Sequence, residues 1–121
     1  MMTGRVEALH ALLPITFRLP GQPDISIEFV VDTGFTGALT LPLPAVTALK
    51  LLYSEETYAN LATDQDVALP VYEATIVWNG VERDVRVIAT GRRPLLGTSL
   101  LKDYELLAQF ADGGLVTIDE L

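Results

Sequence analysis

The sequence predicts a mostly-β domain carrying two short helices. Apolar and polar residues alternate through short segments such as PITFRL (14–19) and the start of ISIEFVV (25–31), the pattern of strands with one buried face. Gly, Pro, Asn and Asp punctuate those segments at close intervals, above all at Asn79-Gly80, a strong two-residue hairpin signal. Helical spacing of apolar residues occurs in two places, AVTALKLL (45–52) and TSLLKDYEL (98–106).

The elements follow in order. PITFRL is a strand, and GQPD (21–24) turns the chain back. ISIEFVV alternates and then becomes continuously apolar, as a strand entering a core does. GALTLP (37–42) is a further strand, stopped by Pro42 and Pro44. AVTALKLL is a helix with Pro44 near its start. ETYANLAT (56–63) and VALPVYEATIVWNG (67–80) flank Asp64-Gln65-Asp66 and read as a hairpin with a polar tip. Pro70 makes its second arm partly an edge or protruding element. Asn79-Gly80 joins TIVW to VERDVRVIA, and PLLG (94–97) is a short apolar strand. TSLLKDYEL reads as a helix capped by Thr98 or Ser99. Apolar residues at 106–110, the turn Ala111-Asp112-Gly113-Gly114 and LVTIDEL (115–121) make a final hairpin.

Composition narrows the chemistry. The 121 residues suit one domain spanning 1–121, and the 50% apolar content is enough for a real core. No apolar run approaches the ~20 residues of a membrane helix. MMTGRVEALHALLP makes a poor signal peptide, because Glu7 and His10 interrupt its apolar segment; the expected location is cytoplasmic. The chain has no cysteine, which removes disulfides, thiol nucleophiles and zinc-thiolate sites. A single histidine, His10, cannot build a multi-histidine metal site and reads as a surface or packing residue. Neither a metal nor another cofactor is expected, and no Gly-rich phosphate loop is present. The net charge is −8 and the basic residues are scattered apart from Arg92-Arg93, so neither nucleic acid nor an anionic membrane is an expected partner.

The stretch FVVDTGFTGALTLP (29–42) carries the chemistry. On its own, Asp-Thr-Gly reads as a turn, since Asp accepts from nearby amides and Gly permits left-handed backbone. Here, however, the carboxylate follows an apolar strand and is presented from a buried scaffold. Thr33 adds a hydroxyl, and Gly34 lets amides approach the carboxylate. Asp32 so held can act as a general base on water, but one carboxylate is half of such a mechanism. The chain contains no second equivalent triplet, so a matched carboxylate must come from another copy.

FVVDTGFTGALTLP followed by PLLGTSLLKDYEL resembles the retropepsin-like aspartic proteases, the single-domain, retroviral-type members of the aspartic peptidase clan that include small bacterial relatives. Two motifs carry the resemblance: the apolar pair before Asp32-Thr33-Gly34, and Leu95-Leu96-Gly97-Thr98-Ser99-Leu100-Leu101 near the C-terminus. It extends over residues 14–121. It implies a closed β-barrel with a flap hairpin and a homodimer acting on a peptide or protein. Asp32 would be the catalytic aspartate, paired with its counterpart in a second copy and sharing one proton with it; a preference for mildly acidic pH follows. Thr33 and Gly34 would support the active site, Thr33 bonding across the dimer axis. Leu96 and Gly97 would pack behind the Asp32 loop. Thr63, Asp64 and Gln65 would form the substrate-binding flap tip, and the terminal hairpin would help form the dimer interface.

The chain departs from retroviral relatives in three places. Its flap tip, Ala62-Thr63-Asp64-Gln65-Asp66, has two acids and no glycine. Phe35 replaces a small residue after Gly34 and would narrow a pocket or fill the core. Ser99 replaces an amide or acid, leaving a supporting polar contact unfilled. Arg92 and Arg93 could pair with acids near the site, or form a solvated pair before Pro94. Two other readings compete with the enzyme: a non-proteolytic dimeric module binding peptides or proteins on the same fold, and an unrelated small barrel in which the triplet is accidental.

Overall fold

The computed structural model describes residues 1–60 and 63–121. Within them the strands are β1 (Met2–Glu7), β2 (His10–Arg18), β3 (Ile25–Val31), β4 (Leu39–Leu41), β5 (Leu52–Asn60), β6 (Asp66–Trp78), β7 (Val81–Ala89), β8 (Leu95–Leu96), β9 (Tyr104–Ala108) and β10 (Leu115–Glu120). The helices are α1 (Leu43–Leu49) and α2 (Thr98–Leu101). All ten strands belong to one sheet, in the order β5-β6-β7-β4-β8-β3-β2-β1-β10-β9. No described helix is long and apolar enough to cross a membrane.

One extra pairing bends that sheet into a ring. β6 pairs with β2, Phe17 opposite Ile76, so β2, β3, β8, β4, β7 and β6 form a closed circuit. Phe17 and Ile76 are both fully buried where the circuit closes, and the Phe17 ring stacks on Phe29 at 6.0 Å between centroids. Leu13, Ile15, Leu39, Leu41, Val87 and Leu96 fill the same interior. The alternation in β2 and β7 supplies this inward row, while charged residues such as Arg18, Glu82 and Arg86 face outward and make exposed ion pairs that add little stability. α1 starts after Pro42, with Pro44 in its first turn, and buries Val46 and Leu49. Lys50, in left-handed geometry at φ 55°, ends it. AVTALKLL is thus helical only to Leu49; Leu52 already belongs to β5.

Several turns form where the residues indicate. Asn79 and Gly80 both take positive φ, 50° and 82°, and Trp78 pairs with Val81 across them. Gln22 donates to the Leu19 carbonyl at 3.2 Å around Gly21, whose φ is 68°. β6 pairs with β7 only from Val71 onward, so residues 66–70, Pro70 among them, pair with β5 alone. The β5–β6 hairpin therefore runs out from the ring as a two-stranded arm, in keeping with Pro70.

Other elements differ from expectation. The N-terminal stretch folds as the β1–β2 hairpin, although Ala8 and Leu9 at its turn must adopt φ values of 48° and 66°. α2 ends at Leu101 rather than near 106, because Asp103 takes a left-handed φ of 69° and Tyr104 begins β9. Its N-cap is Gly97, not Thr98 or Ser99. The final hairpin forms as expected, β9 pairing antiparallel with β10, and β10 also pairs with β1, which leaves β9 at the sheet's edge.

Truncating Phe17 to Ala should destabilise the fold by about 3–5 kcal/mol, read by urea unfolding. Tyr58→Ala, on the exposed arm, should change it by less than ~0.5 kcal/mol. Equal effects would be inconsistent with a core closed at Phe17.

Candidate active site

Asp32 stands where β3 leaves the ring. β3 runs parallel to β8, with Val30 opposite Leu95 and Val31 opposite Leu96. The ladder continues one step: the Asp32 amide donates to the Leu96 carbonyl at 2.9 Å. β8 also pairs with β4 on its other side. The strand entering the Asp32 loop and the strand leaving it are therefore held against the same two residues, Leu95 and Leu96.

The segment after β8 fastens the rest of the loop. Gly97 N–H donates to the Ala38 carbonyl at 2.8 Å, Thr98 N–H to the Phe35 carbonyl at 2.8 Å, and Ser99 N–H to the Gly37 carbonyl at 3.3 Å. The Thr98 hydroxyl donates to the same Phe35 carbonyl at 3.3 Å. On β4, the buried Thr40 hydroxyl accepts from the Leu95 amide at 3.2 Å. This approach requires glycine. A Cβ on Gly97 would lie 2.6 Å from both the Phe35 ring and its carbonyl, and would strike the Gly37 carbonyl. Leu96 and Gly97 are joined to the loop by these backbone hydrogen bonds.

The carboxylate is half-buried, and its Oδ1 accepts from Gly34 N–H at 2.9 Å. The Phe35 amide donates to the Asp32 carbonyl at 3.2 Å, closing the turn. Asp32, Thr33 and Gly34 thus lie on one tight turn, with Thr33 exposed. This geometry orients a carboxylate from a rigid ring while leaving it open to a reactant. Arg93 contacts His10 Nε2 at 2.7 Å. Phe35 fills space, its half-buried ring lying over Gly37 and against Gly97. Beside Ser99, where a supporting polar contact was expected to be unfilled, the Thr98 hydroxyl braces the loop. Neither Thr98 nor Thr40 was singled out in that role, since a threonine beside a glycine or in a short strand gives no distinct signal.

Thr63, Asp64 and Gln65 are exposed near the end of the β5–β6 arm, away from the turn that carries Asp32 in the chain. Ala62 lies outside the described residues. Asp64 takes a φ of 59°, supplying the left-handed position that a glycine would otherwise occupy. Asn60 donates to Asp66 at 3.2 Å across the base of the tip. Between the arm and the Asp32 loop runs a cavity of about 370 Å³, reached by Gly37 and Ala38 on one side and by Thr57 and Val71 on the other. Arg83, Arg86 and Ser99 also line it.

No family model matches this sequence, and no curated protein matches it. Among solved structures, a retropepsin-like aspartic protease from Rickettsia conorii superposes with a TM-score of 0.62 at 16% identity, over 100% of this chain and 91% of that one. The chain has the retropepsin-like fold.

Gly97→Ala should cost about 1–3 kcal/mol through overpacking against Phe35 and Gly37, seen as a lower melting temperature. A melting temperature equal to wild type would contradict the close approach.

Proposed function

We propose that this chain is one half of an aspartic endopeptidase, in which two copies each contribute Asp32 to a dyad that hydrolyses peptide bonds. The observation that carries the reading is the delivery of Asp32: a half-buried carboxylate at the end of β3, oriented by Gly34 N–H and fastened through Leu96, in a retropepsin-like fold. The reading is also economical with residues, because an aspartate dyad requires no histidine, cysteine or metal.

In this mechanism the two carboxylates share one proton, since like charges at contact distance do not both ionise. The ionised member takes a proton from water as that water attacks the scissile carbonyl carbon. The protonated member donates to the carbonyl oxygen. The tetrahedral intermediate then collapses with protonation of the leaving amine. Thr33 would hold the two turns together across the axis. The β5–β6 arm, with Thr63, Asp64 and Gln65 at its tip, would close over an extended polypeptide and exclude water. The cavity between arm and loop would receive one of its side chains. Loss of the shared proton at rising pH removes the acid, so the rate should fall on the alkaline side.

A second reading is a dimeric peptide- or protein-binding module without catalysis. The arm favours it: Tyr58 is 72% exposed beside an acidic tip, and exposed tyrosine is a common anchor for partners. Binding of peptides without cleavage, unchanged by Asp32→Asn, would establish it.

The deciding assay is cleavage of casein between pH 4 and 7 at high protein concentration. Asp32→Asn should lower the rate by at least about 10²–10⁴-fold, and a statine-type inhibitor should block the wild type. Equal cleavage by both proteins would end the aspartic-dyad reading.

A further inference from the structure

β7 is covered along only part of one side. β4 pairs with residues 87–89, whereas residues 81–86 pair with β6 alone. Thr90, next along the chain, donates its N–H to the Leu41 carbonyl of β4 at 2.9 Å. Residues two apart in a strand turn their backbone groups the same way. Arg86, Asp84 and Glu82 therefore point N–H and C=O toward the side that β4 does not reach. Among the described residues, no backbone group from another segment bonds to them there. The result is an open strand edge inside the sheet, roughly 20 Å long.

Three cavities follow this edge. The one between the arm and the Asp32 loop touches residues 83–86. A second, of about 380 Å³, lies between Arg83 and the segment carrying Lys102 and Tyr104. A third, of about 300 Å³, reaches Val81 and Trp78 at the Asn79-Gly80 turn. Arg83 lines all three, Ser99 joins the first to the second, and Tyr104 joins the second to the third. Trp78 is buried, and its Nε1–H has no acceptor among the described residues. Most acids of the strip have partners: Glu82 pairs with Arg18, Asp84 accepts from the Thr75 hydroxyl, and Glu120 accepts from the Tyr104 hydroxyl. Arg83 and Lys102 make no ion pair among the described residues, against one such acid, Asp103. The unpaired charge therefore leaves a positive excess centred on Arg83.

We propose that this edge is a docking strip for the polypeptide substrate, outside the space where the bond is cut. A segment flanking the cleaved bond joins β7 as an added strand beside Glu82, Asp84 and Arg86, and seats a carboxylate on Arg83. The proposal rests on the endopeptidase reading for its occupant. An open row of main-chain donors and acceptors is matched in register by another extended backbone. The first cavity makes the strip continuous with the space between arm and loop, so one polypeptide can occupy both. Charged side chains along the edge discourage pairing with an apolar strand, and the strip thus selects an unfolded, acidic segment.

The test is binding of fluorescently labelled casein to the full chain carrying Asp32→Asn, with amide hydrogen exchange read by NMR. Casein should slow exchange at Glu82, Asp84 and Arg86. Adding Arg83→Glu should weaken binding at least about tenfold, the effect of losing one charge-assisted hydrogen bond. Adding Asp84→Pro, which removes an outward N–H and leaves the bonds to β6 in place, should weaken it similarly. Both variants should still melt cooperatively; if Asp84→Pro does not, Arg83→Glu and the exchange pattern decide. Unchanged casein affinity in Arg83→Glu overturns the proposal. So does exchange at Glu82, Asp84 and Arg86 that casein leaves as fast as in the free chain. Binding weakened as expected, in a wild type that cleaves no casein, supports the strip and rejects the protease reading alone. Cleavage by the wild type with affinity unchanged in the variants rejects the strip and leaves the protease reading standing.

Discussion

The close passage of Gly97 beneath the Asp32 loop is the constraint on which the site depends. A residue with a side chain there would meet Phe35 and the Gly37 carbonyl. Because it is glycine, the backbone after β8 comes near enough to bond with the carbonyls of Ala38, Phe35 and Gly37 in succession. Those bonds satisfy polar groups that a half-buried loop would otherwise leave without partners, each at a cost of ~1–3 kcal/mol. The same contacts leave the Asp32 turn little freedom. The close packing of Phe35 and the fastening of the Asp32 loop both depend on that missing Cβ.

The sequence makes parts of this legible because local chemistry and tertiary structure agree there. Asn79-Gly80 names its turn, since both residues accept positive φ. The apolar pair before Asp32 and the apolar pair before Gly97 mark two strand segments entering the core, and β3 and β8 are paired in parallel. The N-terminal hairpin was not legible, because Ala8 and Leu9 are poor residues for the turn they occupy. Their strain is outweighed by pairing far along the chain, between β1 and β10, which no local pattern announces. The region after Leu101 misleads for another reason. Leu100, Leu101 and Tyr104 fit a helical period, while Tyr104, Leu106 and Ala108 fit a strand's period of two. Asp103 decides between them by taking left-handed geometry, which an aspartate permits but does not advertise.

The arm shows how a chain can meet a backbone requirement without the expected residue. A tip free of glycine suggested a stiff or altered shape. Instead Asp64 takes the positive φ, and Asn60 spans to Asp66 across the base of the tip. The acids at the tip thus have local work as turn formers, which is sufficient reason for their presence whatever the arm covers. Their charge remains and makes the tip of the arm acidic. The cavity itself is lined by charges of both signs, Arg83, Asp84 and Arg86, with Arg86 paired to Glu55.

Fold and site close over different numbers of chains. The ring is complete within one copy: β2 meets β6, β1 meets β10, and the core has no gap waiting for a partner strand. The proposed chemistry is not complete in one copy, because a single carboxylate cannot be base and acid in the same step. A dyad assembled from two finished folds must overcome charge repulsion between acidic chains at the moment of contact. On the proposed reading, a shared proton relieves that repulsion at the axis. Lower pH would then act twice, supplying the proton the chemistry requires and reducing the charge that keeps the copies apart. Salt would act on the second effect far more than on the first, since screening weakens repulsion between exposed charges but reaches a closed dyad poorly.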